Sequence, residues 1–306
     1  MTRHFRTLLD LGADGLLAVL DRAAELKTLR GTPDHPRPLA GRTVAILLEK
    51  ASTRTRISFE VGVHELGGLP LTLAARDTQL GRGEPLEDTA RMFSRYCHGV
   101  VYRTYAHDRI EALAAVSTIP VVNGLSDAHH PCQLLADLMT VREHVRPDLA
   151  GVRVAWIGDG NNMAHSWILA AGLMGLDLVL ACPDGYRPAD DVVAQGRALG
   201  RGSVKVIDDP AEAVRGAHVV TTDVWASMGQ EGEAEARRRS FERFEVTPER
   251  MAAAAEGAIF LHCLPAHRGE EVSAEVVDGP ASRVWDQAEN RLHGQKALLE
   301  TLVAGR

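Results

Sequence analysis

The stretch TVAILLEKASTRTRISFEVGVHEL, residues 43–66, decides the fold. Residues 43–49 form an almost unbroken aliphatic run, and a short apolar run without alternation predicts a strand buried on both faces, as in a parallel sheet. Lys50, Ala51 and Ser52 interrupt it, and residues 53–66 then carry helical spacing. Strand, short loop and helix make one βα unit. Working outward, further strands are expected at 69–73, 99–102, 120–123, 152–158, 176–182, 204–208, 218–223 and 258–264. Helical patterns lie between them at 85–96, 107–117, 131–145, 163–174, 190–199, 210–215 and 248–256. Such alternation implies an α/β architecture with right-handed crossovers.

Pro147 and Gly151 follow a long helical pattern in HVRPDLAG, residues 144–151, and mark a break. Four expected strands precede it and five follow, so the expectation is α/β with two doubly wound parallel-sheet lobes. The first would span 1–146 and the second 147–286. The segment DQAENRLHGQKALLETLVAG, residues 286–305, reads as a long amphipathic helix beyond the second sheet, and a helix over 287–306 is expected to pack back on the first lobe. Residues 228–246, MGQEGEAEARRRSFERFEV, are polar and irregular, and suit a mobile loop or a solvated insertion equally.

At 306 residues, with 45% hydrophobic and 25% charged side chains, the composition is that of a globular protein with room for two cores. The 34 Lys and Arg against 41 Asp and Glu leave a net charge of −7. Without a basic tail, general nucleic-acid binding is not expected, and any anion must be held by local positive charge. No apolar run nears the roughly 20 residues of a membrane span, and the start, MTRHFRTLLDLGADG, lacks a secretory apolar core. Cys97, Cys132, Cys182 and Cys263 are scattered without a CxxC pair, which favours reduced thiols and a cytoplasmic location.

Ligands of open parallel sheets sit beyond the carboxyl ends of the strands. After 43–49 come Ser52, Thr53, Arg54, Thr55 and Arg56 at a helix start, where free amides and the helix dipole favour an anion. The same residues also suit an ordinary Ser/Thr cap with exposed arginines. Other strand ends carry polar or reactive groups: Arg103; then His129, His130, Cys132 and Gln133; then GDGNNM, TTDVWASMGQE and LHCLPAHRGEE. GDGNNM fails as a dinucleotide fingerprint because Met163 stands where the third glycine belongs. His130 and Cys132 flank a proline and match no closed zinc spacing. No GxSxG elbow or GxxxxGK[ST] loop is present. No metal and no cofactor is expected.

STRTR (52–56), HPCQ (130–133), DVWASMG (223–229), HCLPAHRGEEV (262–272) and AENRLHGQKAL (288–298), in this order, resemble the ornithine carbamoyltransferase family within the wider aspartate/ornithine carbamoyltransferase group. The resemblance implies transfer of a carbamoyl group from carbamoyl phosphate to the δ-amine of L-ornithine, giving L-citrulline and phosphate. It implies that the first lobe binds carbamoyl phosphate and the second ornithine. Ser52, Thr53, Arg54 and Thr55 would hold the phosphate, with Arg56 supporting the loop and Gln79 and Arg291 adding contacts. Arg103, His130 and Gln133 would grip the carbamoyl end. Cys263 and Leu264 would lie near the attacking amine and the carbamoyl phosphate. Asn162, Asp223, Ser227 and Met228 would bind the amino-acid head. The catalytic group would be Cys263, Arg103, His130 and Asp223. Members of this family are trimers with sites at subunit borders, so a homotrimer or a higher assembly of trimers is expected.

The physics agrees with these roles. Attack of a neutral amine builds charge on the carbonyl oxygen, and each positioned donor to such an oxyanion is worth roughly 3–4 kcal/mol. Cys263 beside Asp223 is the expected relay for the proton that the δ-ammonium must lose. Residues 221–236 hold Asp223, Glu231, Glu233 and Glu235 but no Lys or Arg, which suits a cationic acceptor better than aspartate. A nicotinamide dehydrogenase and a non-catalytic carbamoyl-phosphate sensor are the competing readings, and turnover separates them.

Overall fold

The structure, a computed structural model, describes residues 3–226 and 231–305. In chain order the helices and strands are α1 (Gly12–Leu29), β1 (Thr43–Leu48), α2 (Thr53–Glu65), β2 (Leu69–Ala74), α3 (Leu86–Tyr96), β3 (Gly99–Arg103), α4 (His107–Val116), β4 (Val121–Leu125) and α5 (Pro131–His144). There follow β5 (Arg153–Ile157), α6 (Asn162–Met174), β6 (Asp177–Ala181), α7 (Asp190–Ala198), β7 (Ser203–Ile207), α8 (Pro210–Val214) and β8 (Val219–Thr222). The chain ends with α9 (Ala234–Phe241), α10 (Pro248–Ala252), β9 (Ile259–His262), α11 (Ala274–Val277) and α12 (Val284–Leu299). Among the described residues no helix is long and apolar enough to cross a membrane.

The chain divides into two units, Met1–Met139 with Glu289–Arg306, and Thr140–Ala288. The first holds a parallel sheet in the order β2-β1-β3-β4, the second a parallel sheet in the order β7-β6-β5-β8-β9. Both orders reverse direction once. In the first unit the chain moves outward from β1 to β2 and restarts on the other side of β1 at β3. In the second it runs from β5 through β6 to β7 and restarts beside β5 at β8. At each reversal the loops leaving two neighbouring strands turn to opposite faces of the sheet and leave a crevice. The loops concerned follow β1 and β3 in one unit, and β5 and β8 in the other.

The central strands are aliphatic because both faces are covered: Val44 to Leu47 and Val154 to Ile157 are fully buried. Side chains of Ala45, Leu47, Val100 and Tyr102 pack with Ala90, Phe93, Ile110 and Leu113 from α3 and α4. In the second unit Ala155, Ile157, Val220 and Phe260 pack with Trp225, Phe241, Phe244 and Val246. β2 departs from the buried pattern as an edge strand, with Leu69 and Leu71 exposed.

The C-terminal residues of α12 complete the first unit. Lys296 is fully buried, with Nζ 2.7 Å from Glu65 Oε2 at the end of α2 and 3.1 Å from His35 Nε2. Gly62 lets the helices approach: a Cβ there would lie 3.3 Å from Lys296 Cγ. Arg22 on α1 pairs with Glu300 at 2.8 Å.

Residues 12–29, where no helix is expected above, form the 18-residue α1, whose buried Leu16, Val19, Leu20, Ala23 and Leu26 follow three-and-four spacing. Two sequence expectations need correction. The polar stretch 228–246 is not irregular where described. It contains α9 and a further turn, pinned by buried Phe241 and Phe244. The helix expected over 248–256 is the single turn α10, which ends at Ala252.

Candidate active site

The first unit gathers its polar groups at the crevice between β1 and β3. Leu48 and Arg103 are register partners, so the loop leaving β1 starts beside Arg103. Ser52 caps α2 from an extended backbone, its Oγ accepting from Thr55 N at 3.3 Å and donating to Thr55 Oγ1 at 3.1 Å. Arg103 Nη1 lies 3.4 Å from the same Thr55 hydroxyl, and both residues are buried. The two arginines of the motif part company. Arg56 is exposed and pairs with Glu60 one turn on at 3.0 Å, so it serves the helix rather than the loop. Arg54 is half-buried and pairs with no carboxylate among the described residues.

His130 and Gln133 open α5. His130 is buried and held neutral: burial first, then the charges of Arg291, Arg103, Arg54 and Lys50, push its imidazole well below the ordinary value. Its neighbours are therefore a set of cations in a chain of net charge −7. Gln133 joins α5 to α12, its Oε1 accepting from Arg291 Nη1 at 2.8 Å and its Nε2 donating to Asp137 at 2.8 Å. Cys132 takes no part; its thiol donates to Asn123 O at 3.3 Å, and burial pushes its pKa up to about 12. Gln79 follows the edge strand β2 and is exposed. No hydrogen bond among the described residues ties its side chain to the Thr55–Arg103 group.

In the second unit the register itself builds the site. Ile157, Thr222 and His262 are partners across β5, β8 and β9, so Gly158, Asp223 and Cys263 are the next residues beyond one sheet edge. The Cys263 thiol accordingly donates to Asp223 Oδ1 at 3.1 Å. Val224 N donates to the same oxygen at 2.8 Å, and Asn161 Nδ2 to Oδ2 at 2.9 Å. Asn161 also caps α6, accepting from Met163 N and Ala164 N. Sequence reasoning missed Asn161 and named its neighbour Asn162, which opens α6 half-buried. Ser227 and Met228 lie outside the described residues. Gly160 is glycine for close packing and not for a dinucleotide: a Cβ there would sit 2.1 Å from Pro188 N.

Two buried pairs brace this edge. His262 Nδ1 accepts from Leu264 N–H at 2.8 Å, and its Nε2 lies 3.2 Å from the Glu271 carboxylate. That holds Leu264 in the left-handed region, φ 58°. Asp223, His262 and Cys263 place ligand-capable atoms within 4.8 Å of one another, but the Nδ1 of His262 already accepts from Leu264 N–H. Further along, Arg237 Nη1 donates to Asp159 Oδ2 at 2.8 Å and to Trp225 O at 3.0 Å, with its guanidinium over Tyr186. Burial raises Asp159 to about 6 against the pull of Arg237, and Asp223 adds to the rise. Nothing in the sequence spacing of Asp159 and Arg237 links them.

Both units of the chain have counterparts among known proteins. The carbamoyl-P binding domain of aspartate/ornithine carbamoyltransferases matches residues 3–143, and the Asp/Orn binding domain matches residues 150–302. The chain belongs to the aspartate/ornithine carbamoyltransferase family. Within that family it is 57% identical over 303 residues to the ornithine carbamoyltransferase of Halorhodospira halophila, covering 99% of both chains. It is 52% identical to the anabolic ornithine carbamoyltransferase of Pseudomonas aeruginosa, covering 98% of this chain and 97% of that one. The solved ornithine carbamoyltransferase of Pyrococcus furiosus superposes with a TM-score of 0.93 at 49% identity, covering 99% of this chain and 97% of that one. The carbamoyltransferase domain match that runs to residue 302 includes Arg291, although α12 carries this residue into the first unit.

Proposed function

We propose that the chain transfers the carbamoyl group of carbamoyl phosphate to the δ-amine of L-ornithine, releasing L-citrulline and phosphate. The cationic group around neutral His130, with Arg54 pairing with no carboxylate among the described residues, carries this reading. Ser52, Thr53, Arg54 and Thr55 hold the phosphate with the α2 amides, and Arg291 and Gln79 add to them. Arg103, Thr55 and His130 face the carbonyl oxygen and Gln133 the carbamoyl amide. His130, being neutral, serves as a hydrogen-bond donor and not as a cation. The amine lone pair attacks the carbonyl carbon, and the C–O bond to phosphate breaks as the carbonyl re-forms. The departing phosphate takes that electron pair against the arginines and then accepts the second proton that the attacking nitrogen must lose.

Ornithine must first lose a δ-proton. The Cys263 thiol donates to Asp223 at 3.1 Å, so its thiolate form, in reach of the amine, accepts that proton. Leu264, braced by His262, lies beside the attacking amine, and Asn162, Asp223, Ser227 and Met228 bind the amino-acid head. The cation nearest in sequence to the 221–236 stretch, Arg237, is already spent on Asp159. Arg238 and Arg239 pair with Glu270 and Glu235. A second side-chain carboxylate, as on aspartate, therefore finds no matching charge there.

A homotrimer, or a higher assembly of trimers, accounts for the edge strand β2 with exposed Leu69 and Leu71 and for exposed Ile57 on α2. Light scattering that gives a monomer would overturn this. A cytoplasmic setting accords with the four free thiols. The deciding experiment is citrulline formation from carbamoyl phosphate with ornithine, putrescine, aspartate and N-acetylornithine as acceptors. Turnover with ornithine alone is expected. Another preferred acceptor would overturn the roles in the second unit, and no turnover at all would leave a carbamoyl-phosphate sensor.

A further inference from the structure

Arg291 owes its position to a residue with no role in the reading above. Gln295, one helical turn further along α12, is fully buried. Turned so that both sides of its amide are satisfied, its oxygen accepts from Arg291 Nε at 2.9 Å and Nη2 at 2.8 Å. Its nitrogen donates to Ser58 Oγ at 2.7 Å. The Ser58 hydroxyl in turn donates to Thr55 O, within the first turn of α2. Gln133 Oε1 takes Arg291 Nη1 on the other side. Three nitrogens of the guanidinium are thus fixed by two amide carbonyls.

We infer that Gln295 is a positioning residue that locks the plane of Arg291 and ties it to the Ser52–Thr55 turn without neutralising its charge. A carboxylate at this place would orient Arg291 equally well but would cancel the charge that a phosphate needs. A neutral acceptor does only the first. The helix that carries both residues is seated closely enough to transmit the constraint. A Cβ on Gly294 would lie 3.2 Å from Leu135 Cβ on α5, and Lys296 anchors the next position to Glu65. The inference rests on the proposed function only in calling the anion the phosphate of carbamoyl phosphate.

The test compares wild type, Gln295→Met, Arg291→Met and the double variant, reading inorganic phosphate affinity by calorimetry and both Michaelis constants by citrulline formation. Gln295→Met should weaken phosphate and raise the carbamoyl phosphate KM roughly tenfold, the scale of one hydrogen bond to a charged group. The ornithine KM should stay within about twofold of wild type. Added to Arg291→Met, Gln295→Met should change nothing more, because it acts through that guanidinium. Unchanged phosphate affinity, parallel rises in both KM values, or multiplying losses in the double variant would overturn the inference. Should Gln295→Met fail to fold, Ser58→Ala removes only the outer partner and must give a smaller shift in the same constants alone. Wild type that binds phosphate through Gln295 but makes no citrulline would overturn the proposed function and leave this inference standing.

Discussion

Replacing Arg54 and Arg56 one at a time by alanine should give opposite outcomes, although the two stand two residues apart in one motif. Arg56 has a side chain 58% exposed and a partner on its own helix at 3.0 Å. Such an i,i+4 pair is worth about 0.3–0.5 kcal/mol, so Arg56→Ala should leave activity and stability almost where they were. Arg54 has no such partner, and its charge is among those that depress the basicity of His130. Its charge stands with those of Lys50, Arg103 and Arg291 around His130, so Arg54→Ala should cost little stability. In the role proposed for it, Arg54 makes a charge-assisted contact with a phosphate that gains charge as it leaves. Such a contact is worth about 1.5–3 kcal/mol, equivalent to a loss of about 10–150-fold in kcat/KM for carbamoyl phosphate. Steady-state kinetics beside a urea melt of each variant reads both quantities. Equal losses for the two variants, or an Arg54→Ala protein with wild-type kcat/KM, would mean that the motif is only a helix cap.

Cys263→Ser keeps a hydroxyl 3 Å-scale partner for Asp223 but removes the more acidic group, and should lower kcat much further than it raises the KM for carbamoyl phosphate. Equal effects on both constants would refute a proton-relay role. Asp159, raised from 3.8 to about 6 mainly by burial, should make the second unit less stable as pH rises through that window. The folded form holds its proton where the unfolded chain has lost it, so the contribution is greatest below 3.8, declines up to about 6 and is flat above. The full change is worth about 3 kcal/mol, and Asp159→Asn should abolish it. Trp156, Trp167, Trp225 and Trp285 are the four tryptophans of the chain and all lie in the second unit, so their fluorescence follows that unit directly. An identical pH slope in wild type and Asp159→Asn would remove Asp159 as its source.

The sheets were legible because parallel strands covered on both faces must be apolar throughout, and all nine expected strands are present. The edge strand β2 was found for its aliphatic residues, but its exposure depends on having no neighbour beyond it, which sequence does not encode. α1 carries its apolar spacing openly, but Asp21 and Glu25 on its solvent side and Arg22, which pairs with Glu300, interrupt the apolar pattern. α9 was obscured by Arg237, Arg238 and Arg239, of which only Arg237 turns inward. The thiol–carboxylate pair could be expected from two strand ends, whereas Asn161 required the cap geometry that points one amide at both α6 and Asp223. Lys296 and Gln295 were invisible for a related reason. Their partners Glu65, Ser58 and Arg291 come from segments whose meeting is decided by tertiary packing.

The route of the backbone through the two units has a consequence for biosynthesis. The second unit is one continuous stretch and is complete once residue 288 has left the ribosome. The first is begun before it and finished after it, because Arg291, Gln295 and Lys296 follow the second unit in the chain. Until then Glu65 lacks its buried ammonium partner and Gln133 its guanidinium, and the seat at Gly62 stands open. The contacts of the downstream unit can therefore all form before those of the upstream one are complete, and the cluster around Arg291 closes only once α12 has followed.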